Sequence, residues 1–148
     1  MPEYAGPMMR WLHPALVHFS VAFLVAGGLS GLLGYLRGRQ AWIRFSHRML
    51  VLGCLFVVPT LVTGNLAANS VVVSAEATAA IDRHEISGWG VGAMVGMALL
   101  WLGWYRGEIP TSQRVAFAMW LGWVVLAVAY AGWLGGQLVY VFQVGTGP

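Results

Sequence analysis

Charged residues are scarce in this chain, and lysine is absent. Of the 148 residues only 9% are charged and 59% are hydrophobic, whereas roughly a quarter of an ordinary soluble domain is charged. Such a chain has too few polar side chains to cover a surface in water, so the composition excludes a soluble globule. The cations are all arginines: Arg10, Arg37, Arg39, Arg44, Arg48, Arg83, Arg106 and Arg114.

Two further classes of protein are excluded by what the chain lacks. Cys54 is the single cysteine, so no disulfide framework can form within the chain. The formal net charge is +3, and the arginines form no basic cluster. A nucleic-acid-binding face needs many more phosphate contacts, so nucleic acid is not an expected partner.

Four long runs carry no charge, and they cover residues 11–36, 49–75, 86–105 and 115–148. Because about 20 apolar residues span the bilayer core, each run is long enough to cross a membrane. The sequence predicts one all-α domain, an integral membrane four-helix bundle over residues 1–148. The predicted helices cover about 13–36, 41–64, 76–105 and 114–136, followed by an apolar tail outside the bundle at 137–148.

Proline and glycine set the predicted helix limits. Pro14 suits the first turn of a helix, and the residue before a proline is biased away from helical angles, so helix 1 should begin near Pro14. Pro59 lies inside helix 2 and predicts a kink. Gly135 and Gly136 form a breaker pair, so helix 4 should stop there.

The arginines also predict the orientation. Six of the eight flank the connections between helices 1 and 2 and between helices 3 and 4. The positive-inside rule places both connections in the cytoplasm and both termini on the outer, periplasmic side. The expected location is the bacterial inner membrane, with the lipid bilayer as the surrounding partner.

Polar residues are expected to form one layer near the outer surface. Measured along each helix from its cytoplasmic arginine at 1.5 Å per residue, they lie roughly 26–36 Å from the inner surface. The members of this polar layer are His13, His18, Asn65, Asn69, His84 and Gln137. Polar groups at membrane depth are functional candidates by default.

Two facing helices that each give one histidine can hold a b-type haem between them. We expect His18 and His84 to be the iron ligands, because His18 should lie on a formed helical turn. His13 precedes Pro14 and is the substitute ligand or a second hydrogen-bond donor. Arg10 and Arg83 are near the outer face and could pair with haem propionates.

Other interpretations of the layer stay open. The histidines can simply hydrogen-bond each other, Asn69 or Glu85 at a wet interface, with no cofactor. His13, His18 and His84 could instead form a three-nitrogen site for zinc or copper, or the layer could bind a quinone. No catalytic triad, carboxylate pair or phosphate loop is evident, so a stand-alone enzyme is not expected.

A short motif at the start of helix 1 resembles a known family. Residues 12–19 read Leu-His-Pro-Ala-Leu-Val-His-Phe, His84 opens helix 3, and residues 135–140 read Gly-Gly-Gln-Leu-Val-Tyr. Together they resemble the bacterial four-helix membrane proteins of the domain of unknown function 2231. The resemblance places His13, His18 and His84 on the family's histidine positions. Some relatives are joined to Rieske-type iron–sulfur domains, which implies electron transfer.

Two functional hypotheses follow. In the first, the protein is a membrane electron-transfer subunit with haem b near its outer face, working with other membrane redox subunits. In the second, it is a cofactor-free accessory subunit that docks a larger complex, or a second copy of itself, through glycine stripes and the apolar tail. Gly88, Gly92 and Gly96 form one such stripe, and tight packing within the chain is its favoured role.

Overall fold

Four long helices make up the fold in a computed structural model, which describes residues 5–144 and the side chains of residues 11–144. They are α1 (Ala5–Arg37), α2 (Gln40–Ala68), α3 (Ala75–Trp104) and α4 (Arg114–Tyr140). A single 3₁₀ turn, Thr111–Gln113, precedes α4. All four helices are long and apolar enough to span a membrane. The predicted all-α bundle of four helices able to span a membrane is confirmed; the orientation of the termini stays a prediction.

The connections follow local chemistry. Gly38 ends α1 with a φ of +64°, and the Arg39 amide donates to the Gly34 carbonyl at 2.9 Å, which is a glycine-based helix stop. Ser74 caps α3 by accepting from the Ala77 amide. Because every connection is short, consecutive helices run antiparallel. We call the end that holds the start of α1, residues 69–74 and the end of α4 the terminal end, and the opposite end the arginine end.

The predicted start of helix 1 near Pro14 is wrong. The helix begins at Ala5, and Pro14 lies inside it. Proline lacks one backbone donor, but the helical hydrogen bonds on either side of it can still form. As a consequence, His13 lies on a formed helical turn rather than at a helix start.

The predicted end of helix 4 at Gly135–Gly136 is also wrong. The helix continues to Tyr140, and Leu138 is buried. Glycine disfavours a helix by about 1 kcal/mol, whereas an unpaired backbone group in lipid costs several kcal/mol. The helix therefore continues, and the predicted tail at 137–148 becomes a last helical turn followed by residues 141–144, with 145–148 outside the described residues.

The helices form a ring in chain order. Each helix packs against its two neighbours, α1 against α2 and α4, and α3 against α2 and α4. Helices α1 and α3 therefore lie on one diagonal, and α2 and α4 on the other. Contact is most extensive between α1 and α2 and least extensive between α2 and α3.

Glycine lets neighbouring backbones approach closely. A Cβ atom at Gly31 would collide with Ser46 and Leu121, and a Cβ at Gly92 would lie 3.1 Å from Leu61. Gly88 faces Leu61 as well. These glycines pack within the chain, as the favoured interpretation of the stripes predicted, whereas Gly96 has no neighbouring atom within 4 Å.

The closely packed core lies in the middle of the bundle and toward the arginine end. Phe117 is fully buried and makes edge-to-face contacts with Tyr35 at 5.2 Å and Trp101 at 5.3 Å between ring centroids. Leu24, Leu50, Val95 and Leu121 are buried on α1, α2, α3 and α4 respectively. Toward the terminal end this apolar core gives way to polar groups.

Candidate functional site

His13 of α1 reaches across to α2. Its Nδ1 atom donates to the backbone oxygen of Thr60 at 3.1 Å and lies 3.3 Å from Oγ1 of Thr63. A carbonyl oxygen can only accept, so Nδ1 carries the proton. In the neutral ring Nε2 is then an unprotonated acceptor. The ring is half-buried.

His84 of α3 makes the same kind of contact with α4. Its Nδ1 atom donates to the backbone oxygen of Ala131 at 3.1 Å, and its ring is half-buried too. Nε2 of His84 is therefore also an unprotonated acceptor in the neutral ring. Within the part of the chain that the structure describes, neither Nε2 atom has a hydrogen-bond partner.

Each imidazole lies on a glycine. A Cβ atom on Gly64 would come within 2.8 Å of Cε1 of His13, and one on Gly135 would come within 3.0 Å of Cε1 of His84. In a helix, Cα–Cβ bonds tilt toward the N-terminus, so the side chain four residues on covers a carbonyl. Gly64 and Gly135 thus leave the carbonyls of Thr60 and Ala131 open to a second donor.

The two histidines lie toward the same end of the bundle, on helices that do not pack together. His13 is near the start of α1 and His84 is near the start of α3, so both lie toward the terminal end. Each ring reaches the helix that follows its own in the chain. This pair, His13 and His84, is the candidate site.

Hydrogen bonds of serine and threonine hydroxyls hold the α1–α2 side of the site in place. Oγ of the buried Ser20 lies 2.9 Å from Oγ1 of Thr60 and donates to the Leu16 carbonyl. Thr63 is buried and its hydroxyl donates to the Pro59 carbonyl at 2.8 Å. These bonds satisfy hydroxyls at membrane depth and hold the backbone that accepts from His13.

His18, the ligand favoured by sequence, does not join His84. It is exposed on the outside of α1, and its Nδ1 donates to the carbonyl of Pro14 in the same helix at 2.6 Å. His13 takes the inward position because α1 extends through Pro14 to Ala5. The sequence favoured His18 over His13 as a ligand because helix 1 was expected to begin near Pro14. In the structure it is His13, not His18, whose ring reaches a neighbouring helix.

The other predicted members lie around the pair rather than in it. Asn65 is exposed and donates to Oε1 of Glu85 at 2.7 Å, which links α2 to α3. Asn69 donates to the Asn65 carbonyl. Arg83 is exposed, with Nε donating to the Ala79 carbonyl of its own helix. Gln137 is half-buried on the last turns of α4. The side chain of Arg10 lies outside the described residues.

The three-nitrogen zinc or copper site is not formed. Among the described residues, no three histidine, cysteine or carboxylate side chains come together in a way that could hold a metal ion. His18 is exposed and its ring bonds within α1, so it does not join the other two histidines.

Sequence reasoning missed the α2 and α4 sides of the site. Thr60, Gly64, Ala131 and Gly135 act through backbone oxygens or through the absence of a side chain, and such roles leave no chemical signature in a sequence. One signal was available in the sequence: a glycine follows each of the two histidines at the same spacing, from 13 to 64 and from 84 to 135.

Comparison with known proteins defines the family. Residues 10–148 match the family model described as "Predicted membrane protein (DUF2231)". The chain belongs to the DUF2231 family. The match confirms the resemblance drawn from residues 12–19, and it includes both histidines of the candidate site in this DUF2231 protein. No curated protein and no solved structure matches the chain.

Proposed function

We propose that this protein is a membrane electron-transfer subunit that holds a b-type haem between His13 of α1 and His84 of α3. The observation that carries the proposal is the shared state of the two imidazoles. Each commits Nδ1–H to a backbone carbonyl and leaves Nε2 as an unprotonated acceptor. Residues that ligate metals are typically held in this way, since the second hydrogen bond fixes both tautomer and ring orientation.

The donor set fits the group. Two histidines would hold the haem iron, and the pair comes from diagonal helices that do not pack against each other. Half-burial keeps both rings inside the bundle near its terminal end. A purely structural pair would need only the Nδ1 bonds, whereas the proposal gives both Nε2 atoms a role as ligands.

When bound, the haem supplies a one-electron couple between ferrous and ferric iron. The residues of the chain have other tasks. The Thr60 and Ala131 carbonyls orient the two rings, and the Ser20 and Thr63 hydroxyls hold the α1–α2 side of the site in place. Arg83, which is next to His84 in the chain and exposed, would be the cation available to a haem propionate at the surface.

The arginine pattern supports a place for this site near the outer surface of a bacterial inner membrane. There the protein would pass electrons from membrane quinol to an external redox partner. The Asn65–Glu85 bond spans the interface between α2 and α3, where the helices contact each other least. That interface is the side on which we place the haem edge.

The test is an absorption spectrum of the protein purified in detergent from haem-replete cells. Wild-type protein should show a Soret band, and His13→Ala and His84→Ala should each lose or shift it. His18→Ala is the matched control, since its ring bonds only within α1, and it should keep the wild-type spectrum. Folding of every variant is checked by helicity and by a single gel-filtration peak.

Two results would overturn the proposal. A folded, colourless protein that takes up no haem on reconstitution would exclude the cofactor. A spectrum that changes in His18→Ala but not in His13→Ala would exclude the ligand pair and restore the pairing expected from sequence.

A hydroquinone is the second candidate, favoured by the same two nitrogen atoms. A quinone offers only acceptors, whereas a hydroquinone offers two O–H donors that suit two Nε2 acceptors. A hydroquinone analogue should then bind to the haem-free protein, and this binding should be lost in either His13→Ala or His84→Ala. A quinone analogue that binds equally well would count against this candidate.

A further inference from the structure

The two halves of the site repeat each other along the chain. His13 donates to the carbonyl of a residue 47 positions ahead, and so does His84. In both cases a glycine follows the accepting residue by one helical turn, and the imidazole ring packs against that glycine. His13, Thr60 and Gly64 thus correspond to His84, Ala131 and Gly135 at one constant offset of 71 positions (13 to 84).

The same offset aligns the rest of the fold. Shifted by 71 positions, α2 falls on residues 111–139, beside the observed span Thr111–Tyr140. Buried positions correspond as well: Leu24 with Val95, Leu50 with Leu121, and Val57 with Val128. In each of the last two pairs the residue type is the same and the exposed fraction differs little: 0% for both leucines, and 6% and 4% for the two valines. The register is therefore shared beyond the site, over both helices of each hairpin.

This correspondence defines a symmetry. Hairpins α1–α2 and α3–α4 run in the same direction, and their equivalent helices lie on the two diagonals of the ring. A pseudo-two-fold axis along the bundle axis relates such hairpins, which is the arrangement of parallel repeats in membrane proteins. The two histidines lie on either side of this axis.

We propose that the chain consists of two copies of one helical hairpin module, and that Gly64 and Gly135 are the equivalent positioning residues of the site. Each glycine opens one carbonyl and sets the position of one imidazole, so that the two rings take equivalent positions about the axis. The identity of the bound group rests on the proposed function, whereas the positions of the two rings do not.

The glycines act by contact, and the contact is specific. An alanine at position 64 would push Cε1 of His13, and an alanine at 135 would push Cε1 of His84. Gly132 and Gly136 are on the same helix as Gly135, but a Cβ atom at either position would meet no atom of the described residues within 4 Å outside its own helix backbone. Alanine at either of these positions is therefore a matched control.

The first measurement uses haem-free protein in detergent with ¹⁵N-labelled histidine. Wild-type His13 and His84 should both give the signature of a neutral ring protonated at Nδ1. Gly64→Ala should shift the His13 ring signals and leave those of His84 and His47 unchanged. Gly135→Ala should shift His84 alone, and Gly132→Ala neither.

The second measurement uses the haem-loaded protein. Gly64→Ala and Gly135→Ala should change the low-spin electron paramagnetic resonance g-values in the same direction, because they move equivalent ligands. If Gly135→Ala fails to fold, the double variant Gly135→Ala/His84→Asn should fold, because asparagine lacks the Cε1 atom that the new methyl group meets. Failure of that rescue would contradict the assigned contact.

The outcomes separate this inference from the proposed function. Ring shifts as expected in a protein that never binds haem would support the module and overturn the haem. Normal haem binding with unshifted rings in both glycine variants would overturn the positioning role and keep the haem. A Gly132→Ala effect equal to that of Gly135→Ala would show that the change is not due to contact with His84.

Discussion

His84 and Ala131 are joined across the α3–α4 interface by a hydrogen bond of 3.1 Å from Nδ1 to the backbone oxygen. The bond uses one nitrogen of the ring and leaves the other without a partner among the described residues. Nδ1 of His84 therefore holds α3 to α4, whereas Nε2 is available to bind another group. A substitution that keeps the first role and removes the second can separate them.

Asparagine in place of His84 should separate these roles. Its amide nitrogen takes the place of Nδ1–H, but nothing takes the place of Nε2. We expect His84→Asn to unfold in detergent within about 0.5 kcal/mol of wild type, while His84→Leu loses about 1 kcal/mol. The Soret band should be lost in both variants. A wild-type Soret band in His84→Asn would exclude Nε2 as a ligand.

Gly31 should tolerate no side chain. A methyl group there would meet Leu121, which is fully buried, and the hydroxyl of Ser46. Gly31→Ala should therefore lower the free energy of unfolding by about 1–3 kcal/mol, as overpacking does. The control is Gly96→Ala, which has no neighbouring atom within 4 Å and should be neutral or stabilising, because alanine favours a helix over glycine. Equal effects of the two variants in denaturant titration would contradict the packing.

A second polar contact lies near the arginine end. The hydroxyl of the buried Tyr35 is 2.7 Å from Nε2 of His47. Tyr35→Phe should lower the free energy of unfolding by about 0.5–1.5 kcal/mol, because a half-buried imidazole loses its partner. Combining it with His47→Leu in a double-mutant cycle should give a coupling energy of similar size. Tyr140→Phe, which is exposed, should change nothing; a zero coupling energy would exclude the bond.

The fold was largely predictable, since uncharged runs long enough to cross a bilayer leave few alternatives to a helix bundle. The errors were at Pro14 and at Gly135–Gly136. There, rules for water-exposed helices overestimated the tendency of proline and glycine to end a helix. In lipid, an interrupted helix leaves backbone groups without partners, so both helices continue.

The site was predictable in part. The depth of the histidines follows from helix rise, and His84, which the sequence favoured, is also a member of the candidate site. The choice between His13 and His18 depended on where α1 begins, which the sequence places wrongly. Gly64 and Gly135 could be found only from contacts, because glycine contributes through the atoms it lacks.

The orientation in the membrane is tested by cysteine labelling. In a Cys54→Ala background, Ser70→Cys reports on the connection at the terminal end and Ser112→Cys on the one at the arginine end; both positions are exposed. The arginine distribution predicts that a membrane-impermeant maleimide labels position 70 in intact spheroplasts and position 112 only after lysis. The opposite pattern would place the site on the cytoplasmic side.

Two buried serines should respond in opposite ways to loss of the hydroxyl. Oγ of Ser20 donates to the Leu16 carbonyl and contacts Thr60, so Ser20→Ala should lower the free energy of unfolding by about 0.5–1.5 kcal/mol. Oγ of Ser46 is fully buried and has no partner within the described residues. Because an unpaired buried hydroxyl is unfavourable, Ser46→Ala should be neutral or stabilising in the same titration. A loss as large as that of Ser20→Ala would show that the Ser46 hydroxyl finds a partner in the membrane.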